Sequence, residues 1–437
     1  MGDTLRSETV STKLDRIAEQ AVRNPKMQFM TLAHLIDEEF LREAFGHIRK
    51  KASAGVDGVT AEEYARELDA NIAALYQRMR SGRYRAPPVR RVWLEKDDGK
   101  QRPIGIPTLE DKILQRAVTM LLERIYEQVF YDCSHGFRPK RSAHHALREI
   151  RENGMNMGIR WILDADIKGY FDSIRRDILR DFLRKKMNDG TIIRFIGKWL
   201  NAGVMEEGKW SSPETGTPQG GVISPMLSNI FLHYVLDEWF EQEIKPRMKG
   251  RCFLSRFADD FVIGFELESD ARRVMGVLPK RFNRFGLTIH PTKTKLIEFG
   301  RPDREQTSGK GKGTFEFLGF THYWARSKRG YWVIKRKTRG KKLRIAMAAM
   351  WKWCKYNRHM PITEQDKKLR QKLHGHYQYF GITGNSKMLD VYLRYTERAW
   401  WYWLGRRHRS GYITWERFTE HHLVHFPLPR PRIVHNV

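Results

Sequence analysis

Apolar and polar positions along this 437-residue chain change period near its last quarter. Up to about residue 325, short runs with strand periodicity are set between helical stretches. Beyond Arg339 the helical period of apolar positions continues almost without a break. Residues 1–50 predict one or two amphipathic helices, and Ala54-Gly55-Val56-Asp57-Gly58 a turn. A helix over 61–81 then leads into a basic strand-like run over 83–96, with a hairpin tip at Lys96–Lys100. Further helices are expected over 110–130, 174–200, 224–240 and 269–285, and strands over 160–167, 294–299, 315–323 and 330–335. Residues 301–313, rich in Gly, Lys and Ser, read as a loop, and the last helices as 341–357, 364–380 and 386–405. Mixed elements followed by helices predict an α+β fold with a boundary near 325–340, and no internal repeat is evident.

Within this pattern Leu254–Ile263 is an apolar run broken by two adjacent carboxylates, Asp259 and Asp260. It predicts a core hairpin with an acidic tip facing a cleft. Neighbouring anions in such a place cost several kcal/mol unless cations compensate them. A second acidic strand, Trp161-Ile162-Leu163-Asp164-Ala165-Asp166-Ile167, sets Asp164 and Asp166 on one face. One strand-borne Asp facing an Asp-Asp hairpin is the smallest carboxylate set suited to two Mg²⁺ ions, which take oxygen ligands.

Composition says what such a centre would act on. The net charge is +29, so a polyanion, first of all nucleic acid, is the expected partner. From Thr321 to Val437 there are 26 Lys and Arg against 6 acids, and eight of the thirteen Trp. Basic side chains interleaved with aromatics suit phosphate neutralisation together with base stacking. The three cysteines, Cys133, Cys252 and Cys354, are far apart, which argues against a disulfide framework or a structural zinc site. Thr215–Leu236 lacks charge, but its Pro, Gly, Gln and Asn residues exclude a membrane span.

The motifs, taken in order, resemble those of reverse transcriptases encoded by bacterial group II introns. Phe257-Ala258-Asp259-Asp260 is similar to the Tyr-x-Asp-Asp signature. It is accompanied by Lys100–Pro107 (KQRPIGIP), Ser134–Pro139 (SHGFRP), Asp166–Asp172 (DIKGYFD), Thr217–Pro225 (TPQGGVISP), His290–Lys295 (HPTKTK) and Phe317–Phe320 (FLGF). Ala54–Thr60 resembles the additional N-terminal motif of the intron-encoded enzymes, and Pro427–Arg432 (PLPRPR) the end of their thumb and maturase (X) domain.

The resemblance implies a right-hand polymerase: an N-terminal extension over 1–50, fingers and palm over 51–325, and a basic helical thumb/X domain over 326–437. It implies that Asp166, Asp259 and Asp260 are catalytic and hold two Mg²⁺ ions, for which Mn²⁺ is a substitute, with the Ile167 carbonyl completing one shell. Lys100 and Arg102 would grip the dNTP triphosphate. Phe171 would be the steric gate against a 2′-OH, and Gln219, Gly220 and Lys293 would lie around the nucleotide. Arg138 and Phe257 would touch template or primer, and Lys335, Arg336, Lys337, Arg339, Lys341, Lys342 and Arg344 would hold nucleic-acid backbone.

The implied activity is RNA-directed DNA synthesis from intron RNA, together with help in splicing and retrohoming. The implied partners are group II intron RNA, an RNA template with a DNA primer or target DNA, and dNTP, with no membrane. The implied location is the bacterial cytoplasm, at the nucleoid. Alternatives are an RNA-binding maturase with secondary polymerase activity, or a domesticated enzyme of phage defence or DNA repair. His421, His422 and His425 lack the Cys pairs of a His-Asn-His nuclease, so DNA cleavage is not expected. Phe257 departs from the usual Tyr, losing a hydroxyl while keeping the ring, and Asp164 is an additional supporting acid.

Overall fold

The computed structural model describes residues 9–95, 99, 101–206, 209–211, 220–302, 311–407 and 412–437. Its eleven described strands are β1 (Val89–Glu95), β2 (Gln101–Ile106), β3 (Trp161–Ala165), β4 (Val204–Glu206), β5 (Lys209–Ser211), β6 (Cys252–Phe257), β7 (Asp260–Phe265), β8 (Lys295–Glu298), β9 (Phe315–Phe317), β10 (Phe320–Arg326) and β11 (Trp332–Thr338). They form three sheets, ordered β2-β1-β4-β5, β6-β7-β3-β8 and β11-β10-β9, in an α+β arrangement.

The sheet β6-β7-β3-β8 is antiparallel throughout and covered on both faces. Leu163, Ala165, Leu254, Phe261 and Ile263 face a large core that includes the helix Leu109–Tyr126. The alternate residues Ile162, Phe253 and Val262 face a second core with Leu147 and Ile150 of the helix Ala143–Asn156. Period-two alternation with apolar residues on both faces explains why β6 and β7 read as near-continuous apolar runs.

Helices Gly340–Tyr356, Ile362–Phe380 and Ser386–Leu404 pack around a third core with Leu369, Leu373 and Trp400. No described helix is long and apolar enough to cross a membrane.

Several elements differ from their sequence reading. The helix expected over 174–200 is two, Arg176–Arg184 and Gly190–Asn201. Asp189 divides them, because its carboxylate caps the second helix by accepting from Thr191 N and Ile192 N. It also accepts from Leu32 N at 2.6 Å and Ala33 N at 2.8 Å, binding the N-terminal segment. The helix expected over 224–240 is α-helical over Ser224–Leu232, then widens into π-helical turns at His233–Asp237 and, after Glu238 and Trp239, at Phe240–Ile244.

The strand expected over 315–323 is two strands, joined by a turn in which Leu318 and Gly319 both have positive φ. Three of the basic residues placed ahead of the helical region, Lys335, Arg336 and Lys337, lie on strand β11. The tip at Lys96–Lys100 and the loop at 301–313 fall largely outside the described residues.

Candidate active site

The β6–β7 hairpin closes with Phe257 paired to Asp260, so Ala258 and Asp259 alone make the turn. Ala258 has φ +58°, a left-handed value that costs an alanine about 1–2 kcal/mol. The turn is held in that state by tertiary contacts. A Cβ on Gly136 would lie 2.4 Å from Ala258 N, so the 134–137 segment lies directly against it. Ser134 also bridges to Arg256 in parallel, extending the edge of the sheet.

Asp166 comes from one residue beyond β3. The β3–β7 register pairs Ala165 with Phe261, so its continuation sets Asp166 opposite Asp260. The segment is anchored further by His290 N donating to Asp166 O at 2.7 Å and by Lys168 N donating to Thr288 O at 2.8 Å. Between those bonds, Ile167 and Ile289 form a bridge whose geometry turns the Ile167 carbonyl away from Ile289.

The carboxylates are under-compensated. Burial pushes Asp260 up to about 6, helped by Asp259 and Asp166 and opposed by Lys293 and Arg102. The Asp260 residue is nonetheless exposed, so solvent screens part of that rise. Asp259 is raised by burial and lowered by hydrogen bonding to its own backbone and by Arg102. Asp164 rises to about 7 through burial, then through Asp260 and Asp166. Lys293 Nζ meets Asp166 Oδ2 at 2.7 Å, with the lysine side chain 62% exposed.

Arg102 reaches the site from β2, where it pairs with Leu94 across the β1–β2 hairpin. Gly220, at φ +111°, packs against the same hairpin, and a Cβ there would lie 2.5 Å from Gly105 O. Only glycine fits that close approach.

Among the described residues, no three His, Cys, Asp or Glu side chains form a ready-made metal cage. The donor chemistry nevertheless fits a divalent cation. Asp166 just beyond β3 and Asp259 and Asp260 at the β6–β7 turn are all-oxygen donors, two of them with raised carboxyl pKa, and a lysine ammonium already sits on the third.

The remaining expected site residues separate into several environments. Lys100 and Gln219 lie outside the described residues. Phe171 is buried, edge-to-face with Tyr170 at 5.3 Å. Phe257 is half-buried, its ring centroid 6.2 Å from that of Phe137. Lys337, Lys341 and Arg344 are exposed, whereas Lys335 and Lys342 are half-buried. Arg339 is paired with Glu316 at 2.6 Å.

Two expected nucleic-acid contacts are corrected. Arg138 is 7% exposed. Its guanidinium forks onto Glu127 and donates to the carbonyls of Tyr131 at 2.7 Å and Ser134 at 2.9 Å, bracing the loop from within. Arg336 is 1% exposed because strand alternation puts it on the buried face of β11 with Trp332 and Ile334. It donates to the main-chain oxygens of Leu147 and Val437, and loss of water on burial, then the nearby Arg151, lowers its pKa to about 10. Neither guanidinium is presented to a ligand.

Sequence reasoning missed Phe137, which is 56% exposed at φ +56° beside the hairpin, and Tyr379, near enough to Asp260 for that carboxylate to help raise its pKa. It also missed Arg256, whose signal is a cation in a strand that is otherwise apolar but for Ser255.

With this geometry in view, comparison with known proteins is direct. The reverse transcriptase (RNA-dependent DNA polymerase) family profile matches residues 94–322, just over half the chain. Protein YkfC of Escherichia coli K12 is 37% identical over 232 residues, covering 51% of this chain and 61% of YkfC. The group II intron-encoded protein LtrA of Lactococcus lactis subsp. cremoris is 39% identical over 226 residues, covering 50% of this chain and 37% of LtrA. The mitochondrial Nuclear intron maturase 1 of Arabidopsis thaliana is 31% identical over 90 residues, 21% of this chain and 12% of that protein. The chain thus matches less than two thirds of the length of each of these relatives. On the family match, which contains all three converging carboxylates, the chain belongs to the reverse transcriptase family.

Proposed function

We propose that this protein is an RNA-directed DNA polymerase of a group II intron that copies intron RNA and assists its splicing and retrohoming. The observation that carries the reading is the convergence of Asp166 with the Asp259–Asp260 turn, with Arg102 and Lys293 as nearby cations. Two bound Mg²⁺ ions would activate a primer 3′-hydroxyl and stabilise the leaving pyrophosphate. Asp166, Asp259 and Asp260 would hold them, with the Ile167 carbonyl. Lys293 would give up its bond to Asp166 and, with Arg102 and Lys100, face the phosphates of dNTP. Phe171 would close the floor beneath the sugar, while Gln219 and Gly220 would line the nucleotide.

In this reading residues 51–325 are fingers and palm, 326–437 the thumb and maturase domain, and 1–50 an N-terminal extension. The net +20 of residues 321–437 is spread over strand β11 and the helices that follow it, whose exposed Lys337, Lys341 and Arg344 would follow nucleic-acid backbone. That charge also supports the second reading, an intron maturase in which polymerisation is secondary, and the similarity to LtrA favours intron RNA as partner. The setting would be the cytoplasm and nucleoid of a bacterium. The test is primer extension on an RNA template with dNTP and Mg²⁺. Failure to extend, or extension that survives Asp259→Ala, overturns the polymerase reading. Splicing support that survives Asp259→Ala would favour the maturase.

A further inference from the structure

Behind the acidic turn lies a guanidinium that touches none of the carboxylates at the centre. Arg256 and Asp237 are each 0% exposed. All five N–H donors of Arg256 are used. Nε donates to Asp237 Oδ1 at 2.7 Å and Nη2 to Oδ2 at 2.5 Å. Nη2 also donates to Ser134 Oγ at 2.7 Å, while Nη1 donates to Asn229 Oδ1 and to the Ala258 carbonyl, both at 3.0 Å.

Asn229 then donates through Nδ2 to Gly136 O at 2.7 Å, and Gly136 is the residue pressed against Ala258. The contacts therefore close a ring: Arg256, Asn229, Gly136, Ala258 and back to Arg256. Asp237 enters it from the π-helical turn His233–Asp237, a widening often found at functional sites.

Stability alone accounts poorly for this arrangement, since replacing a buried ion pair by well-packed apolar residues is often neutral or stabilising. What the charged fork supplies that an apolar pair cannot is a fixed position for the Ala258 peptide, and thus for Asp259 and Asp260.

We infer that Arg256, oriented by Asp237, is a positioning residue. It holds the Ala258–Asp259 turn, and couples the 134–137 segment to it, so that the two carboxylates stay where a divalent cation needs them. The inference deepens the polymerase reading and rests on it for the meaning of kcat.

The test compares Arg256→Lys, Ser134→Ala and the apolar exchange Arg256→Met/Asp237→Leu with the parent protein, using Mn²⁺ titration by electron paramagnetic resonance, hydrogen exchange at residues 258–260, and primer extension. Variants that keep the parent's melting temperature are expected to bind Mn²⁺ about tenfold more weakly, as for other residues that orient metal ligands. Exchange at 258–260 should be faster, and kcat should fall about tenfold to a hundredfold with KM for dNTP unchanged. Ser134→Thr, which restores a hydroxyl, should recover the parent values.

Folded variants with parental Mn²⁺ affinity and exchange overturn the inference, as does an apolar exchange that is both stable and fully active. Should the Arg256 variants fail to fold, Ser134→Ala, which keeps both charges, decides by the same readouts. A parent protein that binds Mn²⁺ but extends no primer sinks the polymerase reading. The positioning role is then judged by metal affinity and exchange alone.

Discussion

Two hairpins in this molecule have turns of the same length and opposite construction. In β9–β10 the turn residues Leu318 and Gly319 take φ +49° and +80°, and Phe317 pairs with Phe320 across them. Two left-handed residues with glycine second make a turn that suits the twist of the strands. Tyr379 rests on it, donating to Leu318 O at 2.9 Å. In β6–β7 the turn is Ala258–Asp259, with no glycine, and it is held by a buried arginine fork and the backbone of Gly136. The first turn is largely specified by its own residues. The second is held from outside, and it carries the carboxylates. A site that must keep like charges together cannot rely on local preference, so its geometry is stored in the surrounding core.

Removing a carboxylate gives the sharpest contrast. Asp259→Asn should reduce primer extension on the order of a thousandfold or more while leaving the fold intact, since it deletes a proposed metal ligand and a source of repulsion. Steady-state kinetics and thermal melting measure both halves.

Next in size, Gly136→Ala drives a methyl into Ala258 N. It should cost about 1–3 kcal/mol of stability and disturb catalysis with it. Gly319→Ala meets its nearest neighbour, Phe380, only at 3.6 Å, so its cost is conformational, about 1–2 kcal/mol, with kcat nearly unchanged. If Gly319→Ala damages kcat more than Gly136→Ala at equal stability, the contrast between the two turns is wrong.

A smaller effect follows from charge. The Asp260 carboxyl is raised from 3.8 to about 6. Without metal, its contribution to stability is therefore complete below pH 3.8 and lost as pH rises through about 6. Mg²⁺ should reverse that loss, so the rise in melting temperature on adding Mg²⁺ should be larger at pH 7.5 than at pH 5. An equal rise at both would show that the carboxylates do not bind the metal. The smallest change expected is from Ala258→Gly. Relief of the left-handed strain and the added freedom of the unfolded chain nearly cancel, within about 1 kcal/mol. A denaturant titration checks this.

Much of this arrangement was legible in the chain. The apolar runs around Asp259–Asp260, the strand leading into Asp166 and the three long helices after 340 appear within a few residues of their expected bounds, because periodicity over such stretches follows directly from burial. Arg138 and Arg336 are expected at nucleic acid for different reasons, the first from its place in the Ser134–Pro139 motif and the second from its basic run. Only the fold shows that their neighbours satisfy them from within, with Glu127 and main-chain oxygens for Arg138 and main-chain oxygens for Arg336. Asp189 and Asp237 gave no signal either: one is a helix cap reaching a segment more than 150 residues away, and the other balances a cation on a different element.

Residue identity and short-range spacing settle the chemistry on offer: three carboxylates at or beside strand ends, cations near them, and a surplus of positive charge. Tertiary structure alone decided which cations are spent inside the protein and how a strained turn is kept in place. Those outcomes depend on contacts between segments far apart in the chain, whose energies appear only when the segments meet.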